Sequence, residues 1–301
     1  MRAVRFISVA AALAFPALLS GCFVISTTRK LPIPVAPDVV KDATSQQLID
    51  QINDRWQKLD TLNATVDIQA SVTKTAEGLA KDYTTFRGII VLRKSGSLRV
   101  HGQVPVIGMT MFDMASNGED FTLYIPSKSK AIKGKNALTK RSTNQLENLR
   151  PEFFFDAMTI RGLAADDDYS VSRDSETIED ARRKRLVLTP EYILSIMRRK
   201  EGSHELLPAR VITIHREDLL PYQQDLYDQE GTLVTQVYYS EYQRYDFGSY
   251  PTKIVINRPL ENFQLTLTVE KVSQNMTLSD DVFKLTIPAD TQIQNLEDNT
   301  D

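Results

Sequence analysis

Apolar and polar residues alternate along much of this chain, and where alternation stops they recur at helical spacing. Leu62, Ala64, Val66, Ile68, Ala70 and Val72 are separated by Asn63, Thr65, Asp67, Gln69, Ser71 and Thr73. A period of two predicts a long strand with one wet face. The same period marks strands at Tyr83–Arg93, Leu98–Val104, Met109–Ala115 and Phe121–Ile125. Ser95-Gly96 and Asn117-Gly118 lie between them, and Asn-Gly is a strong hairpin signal. Further strands are predicted at Tyr169–Arg173, Arg185–Ile193, Ala209–Arg216, Leu226–Asp228, Leu233–Tyr245, Pro251–Asn257, Phe263–Val272 and Phe283–Ile287.

Two stretches follow the helical period instead. Thr44-Ser45-Gln46-Gln47 has the form of a capping box, and Leu48, Ile49, Ile52, Trp56 and Leu59 then share one face. Trp56, the only tryptophan, is read as core. The second helical stretch is Asn144–Leu163, with Pro151 suited to a first turn and Phe153, Phe154, Ala157 and Met158 on one side. Many long strands and two helices predict an α+β fold that is mostly β. A large antiparallel sheet curls, so the expected object is an incomplete β-barrel with helices covering the concave face.

The chain ends change the picture. A positive head, Met1-Arg2-Ala3-Val4-Arg5, precedes an apolar run from Phe6 to Leu19. That run is shorter than the roughly 20 residues of a spanning helix and has the layout of a secretory signal. It ends in Leu19-Ser20-Gly21-Cys22, which resembles the lipobox of bacterial lipoproteins. The resemblance implies cleavage before Cys22, diacylation of its thiol and acylation of the new amino terminus. Cys22 is the only cysteine, so no disulfide can form within the chain. In lipoproteins of two-membrane bacteria an aspartate after the cysteine means retention at the inner membrane; Phe23 stands there instead, so in such a bacterium the resemblance implies the outer membrane, facing the periplasm. The expected divisions are a signal peptide at 1–21, a lipidated Pro-rich tether at 22–43, one domain at 44–290 and a disordered acidic tail at 291–301.

Composition adds mainly exclusions. A formal net charge of −3 gives little reason to bind nucleic acid. His204-Glu205-Leu206-Leu207-Pro208 begins like a zinc-protease helix but has proline where the second histidine must stand. Asp166-Asp167-Asp168 and Asp280-Asp281 are read as acidic turns, and Arg182-Arg183-Lys184-Arg185 as a solvated basic turn. No enzyme, no metal and no cofactor beyond covalent lipid on Cys22 is expected.

An amphipathic helix followed by a strand like Leu62–Val72 forms one part of a larger resemblance. The others are Val104-Pro105-Val106-Ile107-Gly108, the Asn117-Gly118 hairpin and Asp281-Val282-Phe283-Lys284-Leu285-Thr286-Ile287-Pro288. Together, from Thr44 to Pro288, they resemble the LolA/LolB-like lipoprotein carrier and receptor superfamily. The resemblance implies a half-barrel that binds lipid, or the acyl chains of lipoproteins, for transfer or insertion at the outer membrane. Its partners would be the membrane, through the anchor, and lipid or lipoprotein cargo. The alternative is a non-enzymatic envelope sensor or scaffold with a protein partner. Val66, Ile68, Ile90, Val100, Met109, Met111 and Leu265 are the candidate cavity lining, with Phe153 and Phe154 as cover. Val106 and Ile107 form the candidate membrane or transfer loop.

Overall fold

The computed structural model describes residues 33–74, 79–136, 150–165, 167–180 and 184–296. Cys22, the signal segment, residues 144–149 of the second helical stretch, Asp166, and Arg182 and Arg183 of the basic run lie outside the described residues. The first helix, α1 (Ser45–Lys58), begins at the capping box read from sequence. The Gln47 amide donates to Thr44 Oγ1 at 3.2 Å, and the Thr44 amide donates to Gln47 Oε1 at 2.8 Å.

Seven strands follow: β1 (Thr61–Lys74), β2 (Leu79–Asp82), β3 (Phe86–Arg93), β4 (Leu98–Gln103), β5 (Thr110–Ser116), β6 (Asp120–Ile125) and β7 (Lys130–Lys135). After α2 (Pro151–Met158) come β8 (Asp168–Asp180), β9 (Arg185–Arg199), β10 (Leu206–His215) and β11 (Pro221–Tyr227). The series ends with β12 (Leu233–Tyr245), β13 (Gly248–Arg258), β14 (Phe263–Gln274) and β15 (Gln292–Asn295). All belong to one sheet, ordered β15-β7-β6-β5-β4-β3-β1-β14-β13-β12-β11-β10-β9-β8, with β2 beside β1. Two meanders meet where β1 pairs antiparallel with β14, Ile68 opposite Leu267. The sheet is curved and unclosed, ending at β8 and β15.

Its inner face buries two apolar clusters, one under each helix. Phe153, Phe154 and Phe155 of α2 pack on Val66, Ile68, Ile90, Val100 and Leu265. Leu48 and Ile52 of α1 pack on Tyr192, Leu194, Ile212 and Ile214 of β9 and β10. Ile160 touches both clusters and joins them. Fully burying one side chain of this kind contributes about 1.5–3 kcal/mol, so the inner face holds the helices firmly.

The second helix is shorter than its predicted span, since residues 159–163 are not helical, and three further segments differ from the sequence expectation. Phe283–Ile287 is not a strand; a 3₁₀ turn at Asp280–Phe283 leads into irregular chain. Arginines of the sheet hold it there: Arg93 pairs with Asp280 at 2.6 Å and stacks on Phe283, and Arg99 donates to the Val282 carbonyl at 3.0 Å. The tail expected to be disordered from 291 instead forms β15, which pairs parallel with β7. Leu296 then packs against the core, beside Gly134, where an added Cβ would meet it at 3.2 Å. Residues 33–43, expected as a free spacer, also touch the sheet. The Val35 amide donates to Leu186 O and its carbonyl accepts from the Leu188 amide, both at 2.9 Å.

Candidate functional site

The residues predicted to line a cavity separate into two groups. Val66, Ile68, Ile90, Val100, Leu265, Phe153 and Phe154 do come together on the inner face, with exposures of 0–5%. Phe153 and Phe154 stack on each other with centroids 4.3 Å apart. These seven make a packed core and not an open lining. Met109 and Met111 are absent from it, being 59% and 37% exposed. The register explains why. Val100 faces Met114 and Gly102 faces Phe112, so Phe112 and Met114 point inward. Alternation turns Met111 outward, and Met109 belongs to the preceding turn.

That turn is the β4–β5 connection. It is closed by the Val104 amide donating to Met109 O at 2.9 Å and the Gly108 amide donating to Val104 O at 3.0 Å. Val106 lies at φ 70°, a left-handed conformation that is unfavourable for a β-branched side chain. Val106 is fully exposed and Ile107 is 75% exposed. With Met109 and Met111 they form an apolar projection that nothing in the described residues covers.

Open space lies elsewhere, under α1. A cleft of about 720 Å³ runs between α1, the end of α2 and the inner face of β10–β13. Its volume falls in the range of small-molecule sites. Ile52, Leu59, Leu62, Ile160 and Ile214 give it apolar walls, and Tyr239, Tyr242, Phe247 and Tyr250 give it an aromatic one. Trp56, read from sequence as core, stands half-buried at this cleft, edge-on to Phe155 with centroids 6.3 Å apart.

The tyrosine hydroxyls of the wall are committed to the protein. Tyr250 donates to Met158 O at 2.9 Å, and Tyr242 donates to Pro221 O. Gln224 Nε2 bonds both Asp156 O at 2.9 Å and Tyr239 Oη at 3.3 Å. Burial pushes all three hydroxyls well above the ordinary tyrosine pKa, so they stay neutral. Sequence held one unread signal for this wall, the crowding of Tyr238, Tyr239, Tyr242, Tyr245, Phe247 and Tyr250 into one hairpin.

The other motifs resolve into local structure. Asp280 and Asp281 pair with Arg93 and Lys284, at 2.6 and 2.8 Å. His204 and Glu205 sit in the β9–β10 turn. Among the described residues no group of three or more His, Cys, Asp or Glu is placed to hold a metal ion, and no helix is long and apolar enough to cross a membrane.

A family model described as "-like: Uncharacterized protein" matches residues 104–286. No curated protein matches the chain. Similar solved structures include a LolA superfamily protein from Nitrosomonas europaea, 16% identical, covering 81% of this chain and 99% of that one, with a TM-score of 0.49. Another is a DUF1329 family protein from Desulfovibrio piger, 16% identical over 79% of this chain and 94% of that one, with a TM-score of 0.48.

Proposed function

The chain belongs to the family matched over residues 104–286, and we propose that it is a lipid-anchored, non-catalytic protein of the bacterial envelope that accommodates an acyl chain. The matched span contains both the Val104–Met109 turn and the β10–β13 wall of the cleft. In this proposal Cys22 carries the anchor, the domain faces the periplasm from the outer membrane, and the cargo is lipid or a lipoprotein acyl chain. No cofactor takes part.

The observation that carries the proposal is the cleft of about 720 Å³, open beside a core that is otherwise closed. An apolar and aromatic wall of that size suits a hydrocarbon chain, each buried CH₂ contributing about 0.8 kcal/mol. The exposed Val106–Ile107 tip supports it, because apolar side chains held in water at a turn mark a contact surface. In the proposed role this tip enters the bilayer while cargo leaves the cleft.

Ile107→Glu tests the transfer step. Transfer of a labelled lipoprotein into liposomes is expected to fall at least about tenfold, since a charge in hydrocarbon costs a few kcal/mol. The thermal midpoint should not move, because Ile107 is 75% exposed. Unchanged transfer would remove the role given to the loop. A second reading, an envelope sensor or scaffold, is favoured by the filled state of the seven predicted lining residues. It gains if the protein proves to hold no lipid.

A further inference from the structure

We infer that the cleft under α1 contains an anion subsite at Arg55, and that it selects a single-chain amphiphile whose head is a compact oxyanion, a carboxylate or a phosphate. The inference rests on the lipid-binding proposal and adds to it the chemistry of the head.

Arg55 lines the cleft from α1, beside Ile52, Trp56 and Tyr242. The other arginines around the inner face are engaged. Arg161 pairs with Asp156 at 2.7 Å, Arg216 with Asp42 at 2.6 Å, and Arg210 donates to the Arg161 carbonyl at 2.6 Å. Arg55 makes no hydrogen bond or ion pair among the described residues; Tyr242 and then Asp218 act on it through space alone. Its surface is exposed, yet desolvation still lowers its basicity. Both facts fit a guanidinium that lines an open cleft, reached by water from one side. It stays charged, because a free guanidinium titrates far above neutral pH.

Five donors in a planar fork match an oxyanion and do not match a neutral head. The remaining charges at the cleft are Asp54, Lys58 and Asp246, all exposed like Arg55; of the two cations, Lys58 presents a point charge without the planar fork of Arg55. The wall hydroxyls of Tyr242 and Tyr250 already have acceptors. Arg55 is therefore the lining group whose charge and fork best suit an oxyanion head, while Leu59, Leu62, Ile160 and Ile214 take the chain.

Trp56 supplies the test, since it is the only tryptophan and stands in the cleft. The full chain in neutral detergent is titrated with 9,10-dibromostearate, the matching dibromostearyl phosphate and the matching alcohol, whose bromines quench indole fluorescence on contact. At least one anionic probe is expected to quench at about tenfold lower concentration than the alcohol, the value of one charge-assisted contact. Comparing the two anions tells carboxylate from phosphate preference. Arg55→Gln should abolish the preference while the alcohol still quenches, and Arg55→Lys should keep part of it. Equal titration by all three probes, or a preference surviving in Arg55→Gln, overturns the anion subsite and leaves lipid binding intact. If no probe quenches, the lipid-binding proposal falls as well.

Discussion

Asp156 sits in α2 with its carboxylate 2.7 Å from Arg161, and burial raises its pKa to about 6 against the opposing pull of that cation. Glu152 raises it further, while Arg210 lowers it. The folded chain thus holds this proton up to about pH 6, whereas the unfolded chain releases it near the ordinary aspartate value of about 3.9. Stability from this group is complete below the unfolded pKa and is lost as pH rises through the folded one. Asp156→Asn cannot lose a proton. Urea unfolding at pH 4.5 and 7.5 should therefore show the variant gaining on the wild type as pH rises, by about 2 kcal/mol. An equal difference at both pH values would contradict the assignment. Val106 is a second residue held away from its relaxed state. A β-branched side chain at φ 70° costs about 1–3 kcal/mol, and here the cost accompanies complete exposure at the projecting tip.

Elements with unbroken alternation were legible. The Leu233–Tyr245 strand coincides with β12, and Leu62–Val72 and Phe263–Val272 lie inside β1 and β14. Thr44 and Gln47 marked the start of α1 through a reciprocal pair of bonds that needs only local sequence. Phe283–Ile287 alternates equally well and is no strand, because Arg93 and Arg99 hold the chain just before it at the Leu278 and Val282 carbonyls and Asp280, and Arg93 stacks on Phe283. Such contacts join residues nearly two hundred positions apart, which periodicity cannot see. β15 was hidden for the same reason, its pairing being with β7 and its anchor being Leu296. Deleting residues 291–301 is expected to lower the thermal midpoint by the loss of this strand and of Leu296 packing, about 2–4 kcal/mol together. The variant should not self-associate more than the wild type, since Lys130, Lys133 and Lys135 on β7 oppose edge-to-edge pairing. An unchanged midpoint would mean that the tail adds nothing.

Across the whole molecule, one curved sheet serves two helices differently. α2 lays three phenylalanines into the β-meander on either side of β1 and closes it, while α1 covers β9 and β10 and leaves a cleft along its flank. The inward-facing residues could be named from alternation, and seven of the nine proposed lining residues do face inward. Whether they enclose space or fill it depends on where each helix rests, which is a matter of packing between distant segments. The open volume consequently lies beside Trp56 and Tyr250 and away from Val66 and Leu265. The central claim is that this volume holds an amphiphile. Its most direct test is solvent extraction and mass spectrometry of the exported Cys22→Ser chain, purified without detergent, so that neither covalent lipid nor detergent is counted. About one non-covalent amphiphile per chain is the expected result; a folded chain that yields none would contradict the claim.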